Sequence, residues 1–571
     1  MAKLFFLKLA WSNLKRNRRT FLPYILTTAV ISGVFLLISG LLFSDGLSNV
    51  PRGGTAQSVF SFGIVVFAIF AFFFMVYINN FIVGRRKKEF GLYGILGLER
   101  RHVGRVLVWE NLITLCVGVF FGAVIALVFG RLLFLTLLKL IHAAPGSSFS
   151  LDPKAYLLTG ALFFAVFVFT SLINLRQVRL TSPMELMKSE RKGQKDSKLL
   201  IPLAVLGVIF LAVAYYFAWT TQISGTALGI FFPLAILVIL ATELLFTSGS
   251  IAALRALRFN KSLYYKTGNF IAIGGMFQRM RQNARSLATI CILSTMFLVT
   301  VSGTLSLYLG QESILKTDHP YDVALRFDET IGVDDVSAFG QALMKLAEER
   351  GVLLSADTDK LTYERASDGS QLPGLRYVPE NARVMELEKA LLIDRTMVFD
   401  AEGAEENCLK FVQDARALYV NTFPDKSLSS SNVFEARQDG YAVYGGLLFL
   451  GAFFGILFLA VTVLIIYFKQ VSEGYEDKEQ FAILQKVGMD DAQVKSTINT
   501  QVLWVFFIPL GTTILHMLFA SKIMAVMLKS FMLYDWGLVL SCIGGSCAIF
   551  AILYLVVYKL TAHVYYRIVK W

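Results

Sequence analysis

Charge is what this chain has least of. Only 17% of its 571 residues are Asp, Glu, Lys or Arg, against about 25% in ordinary soluble domains, and the deficit excludes a large water-soluble protein. Cysteine is scarce too, with 5 in all. Cys116, Cys291, Cys542 and Cys547 fall inside apolar runs, where a thiol behaves as a small hydrophobe. Cys408 stands alone in a polar block, which therefore has no internal disulfide. No Cys/His cluster has metal-ligand spacing, so no metal and no cofactor is expected on this chain. No GxxxxGK[S/T] loop occurs to cradle nucleotide phosphates, and no nucleophile elbow, HExxH or paired-carboxylate loop occurs either. The chain is not expected to be an enzyme. Any ATP hydrolysis must come from a partner ATPase, which would hold the ATP and Mg.

What the chain has instead is apolar length. Hydrophobic residues make up 56% of it and the mean hydropathy is +0.61. Crossing a bilayer takes about 20 apolar residues in a row. Candidate spans are Phe21–Phe43, Val59–Val83, Leu112–Gly130 (extending past Arg131), Ala155–Leu175, Leu199–Thr220, Ala227–Ala253, Leu287–Leu309, Tyr441–Phe468, Val502–Met527 and Trp536–Tyr558. Hydrocarbon cannot satisfy free backbone groups, so the spans are helices or barrel strands. Strands would alternate apolar and polar, and these runs are continuously apolar. The expected fold is an all-α polytopic membrane protein with ten transmembrane helices. No small-residue cleavage site follows Phe21–Phe43, so that first run is expected to be an anchor and not a removed leader.

The charges that are present fall into two camps. Residues 311–440 carry 14 Lys+Arg against 25 Asp+Glu, and the rest of the chain carries 40 against 16. Outside the acidic block the basic residues crowd into the N-terminal segment, the loops at 84–105, 176–198 and 254–285, and the C-terminus. Basic loops of this kind mark the cytoplasmic side of a membrane and contact anionic lipid. They do not read as a nucleic-acid surface. The expectation is a multi-pass plasma-membrane protein with both termini cytoplasmic and residues 311–440 extracellular. The loop at 469–495 departs, with four lysines against six acids, and parity of spans places it inside. The acidic block opens on the strand-like Tyr321–Phe327 and continues with Val333–Arg350, where Val336, Phe339, Leu343, Leu346 and Ala347 share a helical face. It is expected to be an extracellular α+β domain.

Two stretches recur in the two halves. Trp11–Arg19 is echoed by Phe277–Arg285, each a basic amphipathic segment running into a span. Glu89, Phe90, Gly91, Leu92, Tyr93, Gly94, Ile95, Leu96 and Gly97 are echoed by Gln480, Phe481, Ala482, Ile483, Leu484, Gln485, Lys486, Val487 and Gly488. In the first copy Phe90, Tyr93, Leu96 and Gly97 recur three to four apart, the spacing of one helical face, and Phe481, Leu484, Val487 and Gly488 repeat it. A single such helix could merely pack beneath its own bundle. A duplicated one suits paired docking into grooves of a soluble partner.

The stretch Arg85–Gly97 resembles the segment after the second span of FtsX-like (MacB-type) permeases. Arg281–Met296 is more narrowly similar to the bacitracin-resistance-type permeases of Gram-positive bacteria, and the resemblance covers nearly the whole chain. It implies two FtsX-like four-helix units plus two linking helices. The first unit would take 1–176, the linking spans 177–267, the amphipathic helix and seventh span 268–310, the domain 311–440, and the last three spans 441–571. It implies two copies of an ABC ATPase seated on Glu89, Phe90, Leu92, Tyr93, Leu96 and Gly97 and on Gln480, Phe481, Ile483, Leu484, Val487 and Gly488. It further implies resistance to cell-wall-targeting antimicrobial peptides, acting on the peptide antibiotic or a lipid-linked cell-wall precursor, with a sensory role toward a membrane histidine kinase. The acidic block is shorter than the domain usual in that family. A lipoprotein, lipid or peptide exporter, or a non-transporting regulator of a cell-wall hydrolase, fits the same architecture.

Polar residues inside the spans are the remaining candidates. Glu243 reads as one acid deep in an apolar run, either functional or held by a structural partner. His516, near Pro509 in the ninth span, has the same two readings. Glu110 and Arg131 are expected to lie toward the ends of the third span, where snorkelling carries the charge to water.

Overall fold

The computed structural model describes residues 2–49, 52–143, 149–180, 199–259, 267–328, 330–356, 384–387, 389–393, 395–486 and 491–569. Among them, ten helices are long and apolar enough to cross a bilayer. A short N-terminal helix α1 (Ala2–Arg16) precedes the first span α2 (Arg18–Leu42), and a turn of helix α3 (Asp45–Ser48) leads to the second span α4 (Gly53–Arg85). A nine-residue helix α5 (Lys87–Ile95) separates it from the third and fourth spans, α6 (Arg100–Leu140) and α7 (Pro153–Leu180). Two linking spans follow. They are α8 (Leu200–Thr220) and α9 (Ser224–Leu244), the latter running through a π-helical turn, Leu245–Gly249, into α10 (Ser250–Phe259). The second half begins with α11 (Thr267–Leu309), the seventh span, and α12 (Gln311–Asp318).

An α+β domain then interrupts the membrane core. Its strands are β1 (Val323–Arg326), β2 (Leu353–Ser355), β3 (Val384–Leu387), β4 (Ala390–Ile393), β5 (Thr396–Glu402) and β6 (Ser429–Asn432). They pair antiparallel in the order β3-β4-β5-β1-β6, with β2 alongside β5. Helices α13 (Val333–Arg350) and α14 (Glu405–Thr422) pack on the sheet. The face expected for α13 is the one it uses: Val336, Phe339, Leu343 and Ala347 are buried against Phe327, Phe399, Phe411 and Tyr419. Gly351 ends α13 in the left-handed region (φ 65°), a conformation that favours glycine at helix C-termini.

The core resumes with α15 (Val433–Lys486), α16 (Asp491–Leu528) and α17 (Trp536–Val569), spans eight to ten. Helix α6 runs on past Arg131 as expected and also starts earlier, at Arg100, and α15 extends past both ends of its expected run, because helical bonding continues beyond the apolar stretch. Lipid gives apolar side chains no reason to leave it, so close packing must hold spans together. Here phenylalanines do much of that. Phe60–Phe449, Phe67–Phe454 and Phe70–Phe458 join α4 to α15 with ring centroids 6.0, 5.3 and 4.7 Å apart, inside the favourable range for aromatic pairs.

Candidate functional site

The first repeated segment is a separate helix because the chain bends at Arg86 (φ −93°, ψ 8°), which ends α4 and starts α5. The far end of α5 closes on glycine. Gly97 sits at φ 92°, its N–H donates to Gly94 O at 3.3 Å and that of Leu98 to Tyr93 O at 3.0 Å. This double bond pattern satisfies the last carbonyls of the helix and needs a residue at ease with positive φ.

The packing splits the face expected from the spacing. Phe90 is buried among Val83, Val103, Leu107 and Val178, and Tyr93 packs against the same cluster. Leu92, Ile95 and Leu96 point away from the bundle, with Leu96 72% exposed. Leu96 still bonds Leu92 O in helical register at 3.0 Å, and six residues at about 100° each carry it about 120° round from Phe90, onto the side of Leu92. The free apolar patch on α5 is therefore Leu92, Ile95 and Leu96.

Beside this patch lies a polar cluster that the sequence reading missed. Glu110 is not snorkelling: it is 2% exposed and Arg86 4%. Arg86 Nη1 and Nη2 donate to Glu110 Oε2 and Oε1 at 2.5 and 3.1 Å, and Asn13 Nδ2 donates to Oε1 at 2.8 Å. Arg86 Nε reaches Glu89 Oε2 at 2.8 Å, Asn17 Nδ2 reaches Glu89 Oε1 at 3.0 Å, and Tyr93 Oη donates to Asn13 Oδ1 at 3.2 Å. The rings of Phe21 and Phe90 flank the guanidinium, 5.0 and 5.2 Å away. Burial works against the Arg86 charge, but the Glu110 and Glu89 carboxylates outweigh it and hold the guanidinium above its usual range. A buried pair becomes tolerable only when its remaining donors and acceptors are also satisfied, and Asn13 and Glu89 do that here. Arg86 and Glu110, complementary charges just beyond the second span and early in the third, were the signal available in the sequence.

The second repeated segment is different. Gln480, Phe481, Ile483 and Leu484 fall on the C-terminal end of α15, whose backbone is helical without a break from Val433 to Lys486. Their side chains, and Val487 and Gly488 altogether, lie outside the described residues.

Of the two intramembrane candidates, Glu243 has a charged neighbour: its side chain is 38% exposed and Arg285 Nε lies 3.5 Å away. The sequence hides this because Arg285 comes from a different span. Arg131 is exposed on α6. His516 is the buried one. Thr242 donates its own hydroxyl proton to Val238 O at 2.7 Å, so its oxygen accepts from His516 Nε2–H at 3.0 Å. Nδ1 is then the bare nitrogen, and it accepts from Tyr215 Oη at 2.6 Å. The neutral ring thus ties α8, α9 and α16 together, at the wall of a largely apolar cavity of about 380 Å³. No group of three or more His, Cys, Asp or Glu that could hold a metal occurs among the described residues.

Comparison with known proteins matches both halves of this core to one family. The sequence profile described as FtsX-like permease C-terminal fits residues 61–183 and again 452–565, so each match begins inside the span that leads to a repeated segment. Curated relatives align over nearly the whole chain. The uncharacterized ABC transporter permease YvcS of Bacillus subtilis (strain 168) is 22% identical, with 98% of this chain and 99% of its own length covered. The ABC transporter permease protein YxdM of the same strain is 22% identical over 91% of this chain and 94% of its own. The bacitracin export permease protein BceB, also from that strain, is 20% identical over 91% and 95%.

Proposed function

We propose, from the FtsX-like permease matches over 61–183 and 452–565 and the likeness to ABC transporter permeases, that the chain passes the ATP-driven closure of two partner ATPase subunits to its α+β domain. Helix α15 is the observation that carries this reading. It starts one residue after β6 and ends within the second docking segment, 54 residues on. At 1.5 Å per residue that is a rod of about 80 Å, more than twice the thickness of a hydrocarbon core. The rod is fastened to the domain at its root. Val433 N–H donates to Asp322 O at 2.8 Å, Arg416 grips Glu435 through two bonds of 2.9 and 2.7 Å, and Gln311 Nε2 donates to Arg437 O at 2.9 Å. Force applied at the segment reaches the sheet without crossing a flexible linker.

In this reading both termini face the cytoplasm of a plasma-membrane protein, residues 311–440 lie outside, and ATP and Mg are held by the ATPases. The relatives named for bacitracin export support a role in resistance to cell-wall-targeting antimicrobial peptides, acting on the peptide or its lipid-linked precursor, with a signal passed to a membrane histidine kinase.

The docking surface makes the reading testable. Leu96 is exposed, so Leu96→Asp leaves the fold of the permease intact while putting a charge into the joint, where losing an interface anchor costs about 2 kcal/mol or more. Leu96→Asp and Val487→Asp should each insert normally, release the ATPase on copurification and abolish protection against bacitracin-type peptides. Full ATPase recovery and full protection in both variants would sink the reading.

A further inference from the structure

The helices of the first half of the membrane core are interrupted where those of the second run on. Helix α1 gives way to α2 at Asn17 (φ −99°, ψ 36°) and α4 to α5 at Arg86. The matching stretches of the second half, 277–285 and the approach to Gln480, lie within the uninterrupted helices α11 and α15. Each break is a weak point: some helical bonds still cross it, Asn17 N–H to Asn13 O at 2.9 Å and Phe90 N–H to Arg86 O at 3.2 Å, but the ladder is thinned there, and force on the far side flexes it before it moves the span. The two breaks of the first half meet in space, because Asn17 at one of them bonds Glu89, which Arg86 holds at the other. Arg86 also carries the bidentate pair to Glu110, whose Oε1 accepts from Asn13 Nδ2 of α1. The residue at the second break therefore supplies the group that resists its flexing.

We infer that Arg86 and Glu110 are positioning residues that lock α5 to the third span and to α1, making the first ATPase contact the fixed one and the contact continuous with α15 the moving one. This rests on the reading of both repeated segments as docking sites. The physical ground is the difference in fastening. Helix α5 has only nine residues and short apolar contact with the bundle, so without the lock it would flex at the break. The α15 end needs no lock, since its own backbone hydrogen bonds carry load into the span. The lock is built for stiffness: its charges are almost fully buried, where a bidentate guanidinium–carboxylate pair has one geometry and water does not compete. An ATPase pair that closes between a fixed seat and a lever moves the lever, and here the lever ends in the sheet of the domain.

Two measurements on the full chain in lipid nanodiscs test this. The first is hydrogen exchange of the α5 backbone amides, which needs no ATPase. Glu110→Gln keeps the shape of the side chain but removes its charge, and should speed exchange in α5 about tenfold while leaving the amides of 480–486 as in the wild type. Glu110→Asp, which keeps the charge, should restore most of the protection. If Glu110→Gln fails to insert, Asn17→Ala, on the half-buried edge of the cluster, should give the same selective loosening. Unchanged α5 exchange in these variants overturns the lock. The second is the complex with its ATPase, carrying Glu406→Cys on the domain as a thiol reporter. Glu110→Gln should leave the KM for ATP unchanged but cut the ATP-dependent change in reporter labelling. An undiminished change, with α5 loosened, overturns the fixed-seat role. A wild-type chain that retains no ATPase would instead fail the docking reading, and the exchange result would still decide whether the lock exists.

Discussion

Gly122 of the third span packs directly against Ser32 of the first: a Cβ on Gly122 would collide with Ser32 Oγ and come within 2.8 Å of Ala29 O and Gly33 N. Gly118, one turn earlier, faces Thr28 in the same way. Small residues of this kind let two helix backbones approach in lipid, where packing and not water drives association.

Gly122→Ala should therefore pry α2 from α6 and destabilise the chain by about 1–3 kcal/mol, the range for overpacking a closed interface. Gly544→Ala and Gly545→Ala on α17 meet no atom within 4 Å and should be close to neutral. Thermal aggregation midpoints of the three variants in one detergent check this; equal midpoints would refute it.

The His516 tie predicts a pattern among its three members. Thr242→Val leaves Nε2–H without an acceptor, and Tyr215→Phe leaves Nδ1 without a donor. Each should cost on the order of 1 kcal/mol, since hydrogen bonds between spans are individually modest. Combined in one chain, the two losses should add to less than their sum, because both act through one ring. A double-mutant cycle in midpoint temperature reads the coupling directly.

Asp328 contributes to the acid response of the domain. Its carboxylate accepts from Thr330 Oγ1 and N–H at 2.6 and 3.0 Å and from Ser427 Oγ at 3.1 Å. These bonds, led by the Thr330 hydroxyl, hold its pKa down, from 3.8 to about 2. A depressed carboxylate stabilises the fold above its unfolded pKa, and the contribution is lost as pH falls through the folded value. Asp328→Asn should lower the unfolding midpoint of the full chain at neutral pH. The gap from wild type should close between about pH 4 and pH 2. A gap independent of pH would contradict it.

Orientation is open to a direct reading. In a cysteine-free background, Glu406→Cys on the exposed start of α14 should react with an impermeant maleimide on intact cells. Arg101→Cys, exposed at the start of α6, should react only after permeabilisation. Equal labelling at both positions would overturn the proposed topology.

How far these features could be read from residues alone depended on the range of the interaction. Amphipathic α13 was legible to the residue, because the face that Val336, Phe339 and Leu343 share is a local periodicity. Phe90, Tyr93 and Leu96 share a spacing in the sequence, but at about 100° per residue Leu96 falls about 120° round the helix from Phe90, and only the packing shows that Phe90 and Tyr93 face the bundle while Leu96 faces out. In the sequence Glu110 reads as a snorkelling side chain, since its partners Arg86 and Asn13 stand 24 and 97 positions away. His516 gave no hint of its tie, which needs Tyr215 and Thr242 from two other spans.

The amino-acid order by itself determined the ten spans and the α+β insertion, because an apolar run in hydrocarbon has no alternative to satisfying its own backbone. It also carried the repeat that makes the two halves relatives of each other. What it left undecided was where those similar halves differ. Nothing in Trp11–Arg19 against Phe277–Arg285, or in Glu89–Gly97 against Gln480–Gly488, announces that the helix breaks within or just before one copy of each and runs unbroken into the other. Only the tertiary structure decided that: it buries the Arg86 charge at the break against Glu110, where the pair is strong enough to hold an interrupted helix in place.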